Sequence, residues 1–92
     1  DSPPAILKKS PVVWSRTALS SKRKGVVVLQ ATVNSKGLVE DVKVLRSDHE
    51  GFGIPQAVTS AVMKYRFKPG IKDGVPVKTY FSFSARYDFT NR

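Results

Sequence analysis

The sequence predicts an α+β two-layer sandwich: a three-stranded antiparallel sheet, made of a hairpin plus a long last strand, with two helices on one face. Three observations predict it. A valine-rich run at residues 26–33 is followed by Asn34-Ser35-Lys36-Gly37 and a second β-branched segment. Residues 54–65 carry apolar side chains at helical spacing. Residues 75–89 alternate between apolar and polar along their whole length. Strict alternation requires one buried and one wet face, so the sheet is antiparallel and its helices lie on one side.

Residues 1–9 are polar, contain Pro3 and Pro4, and show no periodicity. They read as the flexible end of a linker running into Ala5-Ile6-Leu7, which adds at most a short edge contact. The domain proper is drawn at residues 10–92. Val13, Trp14 and Ala18 sit at near-helical spacing and Ser15 is a capping residue, which predicts a short helix over 15–21. Lys22-Arg23-Lys24-Gly25 follows as a charged loop.

In residues 26–33 Val27, Leu29, Ala31 and Val33 share one face, and Val26 and Val28 make the other face apolar at its start, as in a central strand. Gly37 can adopt the left-handed conformation that a hairpin turn needs. On the returning strand Val39 differs in parity from Val42 and Val44. A one-residue slip at Glu40-Asp41 restores them to one face, so a β-bulge is predicted there.

Ile54, Ala57, Val58, Ala61, Val62 and Tyr65 form the apolar stripe of the second helix, with Pro55 in its first turn. Lys64, Arg66 and Lys68 bracket its end, where cations favour the helix dipole. In the last strand Val75, Val77, Thr79, Phe81, Phe83, Ala85, Tyr87 and Phe89 are the inward set, and Tyr80 is the one aromatic of outward parity. Fifteen residues at about 3.3 Å each make roughly 50 Å of strand, longer than its neighbours. An overhanging edge with unpaired backbone groups is a template for another chain.

Composition narrows the function. The chain has 92 residues, 40% of them hydrophobic, enough for one modest core with an expected radius of gyration of about 12 Å. It has no cysteine, which excludes disulfides and thiolate chemistry. His49 is the single histidine, a poor metal ligand or catalytic base when alone, and no glycine-rich phosphate loop is present. The expected protein is not an enzyme and carries no cofactor or metal. Sixteen Lys and Arg against seven Asp and Glu give a net charge of +9, which favours anionic partners. A nucleic-acid-binding sheet would display two or three outward aromatics for stacking. Only Tyr80 qualifies, so nucleic acid is the disfavoured partner. No apolar run reaches the roughly 20 residues that span a bilayer. Beginning at Asp1-Ser2-Pro3-Pro4, the chain reads as a fragment of a longer parent.

Several residues in fixed order carry a resemblance. Gly25 opens the valine-rich strand, then come Asn34-Ser35-Lys36-Gly37 and Val39-x-x-Val42-x-Val44. Ala57, Ala61-Val62, Tyr65-Arg66-Phe67-x-Pro69 and Gly74-Val75-Pro76-Val77 follow. This series resembles the C-terminal domain of the TonB family, the periplasmic energy transducers of Gram-negative bacteria. Where that family usually has a Tyr-Pro pair, this chain has Trp14-Ser15, with Ala18 at the alanine that follows. The polar stretch that helps grip a receptor peptide in the best-known members reads Lys9-Ser10-Pro11-Val12-Val13 here.

The resemblance implies a partner and a mechanism. A TonB box peptide near the N-terminus of an outer-membrane receptor would add as a strand beside the last strand. The inner-membrane ExbB-ExbD motor would pull through that junction by way of the parent's anchored N-terminal part. The expected peptide-binding residues are Val77, Lys78, Thr79, Tyr80, Phe81, Ser82, Phe83, Ser84 and Trp14, Trp14 also reading as a core plug between helix and sheet. The cell wall (peptidoglycan) is a further anionic partner for the basic groups, including Lys22-Arg23-Lys24. A TonB-like domain appended to another envelope protein, such as a sensor-type membrane peptidase, is the alternative of the same fold. The expected state is a monomer or a weak edge-strand dimer.

Overall fold

A computed structural model describes residues 2–90. The chain order is β1 (Ala5–Lys8), α1 (Arg16–Leu19), β2 (Lys24–Val33), β3 (Val39–Ser47), α2 (Ile54–Val62), β4 (Arg66–Lys68), β5 (Gly70–Lys72), β6 (Val75–Val77) and β7 (Thr79–Asp88). The main sheet is antiparallel in the order β3-β2-β7, so the valine-rich strand is central. Its inward residues Val27, Leu29, Ala31 and Val33 are fully buried.

The turn at 34–37 is locked by Asn34, whose Oδ1 accepts from the backbone N–H groups of Lys36 and Leu38, while Gly37 takes a φ of 82°. The bulge expected at Glu40-Asp41 falls on Glu40: Thr32 faces Asp41 while Val33 faces Val39. A second bulge comes at Leu45, since Val28 faces Arg46 and Leu29 faces Val44. The first restores Val39, Val42 and Val44 to the core face, and the second throws Leu45 outward, half exposed.

Both helices contribute to the same core. Ser15 caps α1, its Oγ accepting from Ala18 N–H at 3.0 Å, which seats Ala18 in the interior. Pro55 stands in the first turn of α2, and Ile54, Pro55, Val58, Ala61 and Val62 are its buried face, packed on β2 and β3. The helix is shorter than its apolar stripe suggests. It stops at Val62 with no basic residue in its last turn, so Lys64, Arg66 and Lys68 lie beyond it and do not serve its dipole. Arg66 instead donates to the Tyr65 carbonyl at 3.2 Å. Tyr65 is carried past the helix end to stack on Phe83, and Phe67 on β4 packs edge-on against Phe81.

The last strand departs from the expectation in one respect. The ladder with β2 covers Lys24–Val33 and Thr79–Asp88 without a shift, but it stops at Thr79. Residues 75–77 form β6 and pair with β5 across the tight turn at Asp73-Gly74, both in the left-handed region. The overhang is therefore not unpaired on both sides. Val75, expected inward, is 58% exposed because this hairpin projects past the helical layer. Phe81, Phe83 and Ala85 are only partly buried against the core.

Ala5–Lys8, in the segment read as linker, pairs with β4, and Ser2 exchanges backbone hydrogen bonds with Ile71. The whole is elongated, 48 × 19 × 19 Å, with a radius of gyration of 14.5 Å. That exceeds the roughly 12 Å of a compact chain this long, because one strand runs the length of the molecule.

Candidate functional site

In an antiparallel ladder successive residues direct their backbone groups to opposite sides. Three bonds set the sense here. Phe89 N–H donates to Arg23 carbonyl at 2.8 Å, whereas Val26 N–H donates to Asp48 Oδ2 and Val26 carbonyl accepts from Asp48 N–H, both on the β3 side. Odd-numbered residues of β2 and β7 therefore bond each other. Even-numbered residues of β7 direct their N–H and C=O groups away from β2, to an edge that no strand covers among the described residues.

The same sense continues into β6. Ile71 bonds Ser2, away from β6, so its partner Pro76 also points away from β5. Residues 76, 78 and 80 are all exposed while Val77 and Thr79 are half-buried, so the alternation passes through Lys78 unbroken. β5 and β2 thus lie end to end along one side of a single long strand, and no strand among the described residues pairs with the opposite side. Where they meet, a β-carbon on Gly70 would stand 2.5 Å from Thr79 Cγ2, so only glycine fits.

This geometry divides the expected binding residues into two sets. Lys78, Tyr80, Ser82 and Ser84 have side chains on the open face and backbone groups at the free edge. Tyr80 is 63% exposed, and Lys78 Nζ reaches Glu40 at 3.5 Å. Val77, Thr79, Phe81 and Phe83 turn toward the helical layer, and their backbone groups are taken by β5 and β2. Arg86 shares the parity of the first set and, in the register with β2, extends the edge. At Asp88 the edge ends: its carboxylate accepts from the N–H and hydroxyl of Thr90, which holds it below the usual carboxylate pKa and occupies the next even-numbered amide.

Trp14 is elsewhere. Its ring lies 5.1 Å edge-on from Phe89 and 6.0 Å from Tyr87, about 15 Å along the strand from the Ser82–Ser84 stretch. The structure does not bring it together with residues 77–84. Ser15 holds this corner by donating to Phe52 carbonyl at 2.9 Å. Arg23, from the basic loop, lies 5.9 Å over the Phe52 ring. His49 faces Tyr87 edge-on at 6.4 Å, and no group of three metal-ligating side chains occurs among the described residues.

The two outer edges of the sheet differ. The β3 edge is interrupted by bulges at Glu40 and Leu45 and carries Glu40, Asp41, Lys43 and Arg46, devices that discourage another strand. The β7 edge runs ten residues without a register shift, and Tyr80, Ser82 and Ser84 are among its outward positions.

Residues 10–89 match the model of a family described as Gram-negative bacterial TonB protein C-terminal. The chain belongs to this family. No curated protein matches it. The solution structure of the Pseudomonas aeruginosa TonB C-terminal domain is similar, with a TM-score of 0.75 at 27% identity, covering 100% of this chain and 92% of that one. The mixed α+β fold is thus that of a TonB C-terminal domain. In this chain Trp14 packs against Phe89 and Tyr87, and Ser15 supplies the helix cap.

Proposed function

We propose that this TonB C-terminal domain binds an extended segment of an outer-membrane receptor, the TonB box, by adding it as a strand to the free edge of β7. The domain acts in the periplasm, without catalysis. The parent chain is anchored in the inner membrane, where the ExbB-ExbD motor supplies force that the added strand transmits. The single observation that supports this reading is the contrast between the edges: one bulged and charged, the other unbulged and unpaired among the described residues.

Backbone recognition suits one domain that serves several receptors, since amide groups are common to every sequence. Lys78, Tyr80, Ser82, Ser84 and Arg86 offer the outward groups. Bonds worth about 1 kcal/mol net each, less the cost of ordering the peptide, give weak to moderate affinity and allow release. Trp14 acts from its corner as packing for Tyr87 and Phe89, the core-plug reading.

The test is an NMR titration of the labelled domain with peptides from the plug regions of outer-membrane receptors. Shifts concentrated on residues 78–86, with micromolar to sub-millimolar affinity, are expected. Shifts confined to the Lys22-Arg23-Lys24 loop, or none on β7, would overturn the reading.

A further inference from the structure

We propose that Pro76 is a built-in stop that bounds the docking edge and fixes the register of the segment it receives. The inference rests on the strand-addition reading above and adds a specificity-determining residue to it.

The free edge of the long strand is continuous from β6 into β7, so nothing in the sheet pairing itself limits where an incoming strand begins. An edge open along its whole length would accept many registers and would also pair with itself. Two features limit it. At one end the Asp88 carboxylate takes up the N–H of Thr90, the next even-numbered amide. At the other, Pro76 sits opposite Ile71, in the pair whose backbone groups face away from each other.

That parity gives Pro76 its effect. A proline at 75 or 77 would lose a bond to β5 and weaken the hairpin. At 76 it costs the hairpin nothing, because an N–H there would point outward. On the outward side it removes the donor an added strand would need and places its ring in that strand's path. Lys78 follows as the first residue with an intact outward amide. The usable window is thus 78–86, centred on the uncharged stretch Tyr80, Ser82, Ser84, and its length selects both register and segment size.

The test uses the labelled domain and two synthetic peptides of alternating valine and threonine with a glutamate at each end, about seven and about thirteen residues long. The short peptide spans most of the window and the long one overruns it. With the native domain both are expected to protect the amides of Tyr80, Ser82, Ser84 and Arg86 from exchange, with affinities within about twofold. Pro76→Thr, a residue compatible with a strand, is expected to extend the perturbation to position 76. It should also tighten the long peptide about three- to tenfold over the short one and raise self-association in sedimentation. Lys78→Pro, which leaves the hairpin proline in place and moves the stop inward, is expected to weaken both peptides about three- to tenfold. Native binding in which the long peptide alone perturbs residues 75–77 and binds tenfold tighter overturns the stop and leaves strand addition standing. So does a folded Pro76→Thr domain with an unchanged window, or Lys78→Pro with unchanged affinities. Absence of any effect on β7 with either peptide overturns strand addition, and the stop with it.

Discussion

Tyr87 lies directly opposite Gly25 in the β2–β7 ladder, and its hydroxyl is 2.9 Å from where a β-carbon on Gly25 would stand. Asp48 crowds the same point, with its Cβ and Oδ2 each 2.9 Å away. Glycine opens the valine-rich strand because a tyrosine ring and an aspartate converge on the face where any side chain would be. Asp48 is held there by Val26 N–H and by Arg46 at 3.5 Å. Gly25→Ala is expected to destabilise the domain by about 1–3 kcal/mol through overpacking, read as a lower urea midpoint at unchanged slope.

The hydroxyl of Tyr87 is buried and has no hydrogen-bond partner among the described residues. Burial, and secondarily the charge of Asp48, raises its pKa above the ordinary value of 10.0. A phenol raised in the folded state stabilises the fold fully below about pH 10, and that contribution is lost as pH rises through the raised value. Tyr87→Phe is expected to gain about 1 kcal/mol at pH 7 by removing an unsatisfied group. It should also flatten part of the alkaline fall in stability, measured by urea unfolding from pH 7 to 11. A loss of stability at pH 7 would show that the hydroxyl is satisfied.

The parity of β7 makes a proline scan informative. Ser82→Pro removes an outward N–H on an edge strand, which sheets tolerate. It is expected to abolish peptide binding while leaving circular dichroism and most amide shifts unchanged. Phe83→Pro removes a bond to β2 and the ring packed on Tyr65 and Phe81, and is expected to cost about 3 kcal/mol or more. Equal damage from both would contradict the alternation.

Gly37 combines two constraints. Its φ is 82°, and a β-carbon there would lie 2.0 Å from the carbonyl oxygen of Phe67, while Phe67 N–H donates to Gly37 carbonyl at 2.9 Å. The hairpin turn and β4 are thus docked backbone to backbone. Gly37→Ala is expected to cost about 2–4 kcal/mol, with amide-exchange protection lost first in β4.

Ser15 acts at two places, capping Ala18 N–H and donating to Phe52 carbonyl. Ser15→Ala is expected to cost about 1 kcal/mol by thermal unfolding. Ser15→Asp keeps the cap acceptor and loses only the bond to Phe52, so it should recover most of that loss.

What the residues alone determined about this protein is whatever depends on side chains close in sequence. Alternation in 75–89, the stripe on 54–65, the turn at Gly37 and the slip at Glu40-Asp41 each follow from local patterns of apolar and polar groups, and the family resemblance rests on them. The tertiary structure decided which partner each backbone group meets. Val75 looked inward by parity, but no layer covers the hairpin end. Val75–Val77 pairs with Gly70–Lys72, three-residue strands too short to stand out by periodicity. Above all, parity says which face a side chain takes, but not which edge its amide serves. That depends on the register with Lys24–Val33, some fifty residues earlier in the chain. Only once this register is set do Tyr80, Ser82, Ser84 and Arg86 become the residues that offer an edge, and Pro76 the residue that ends it.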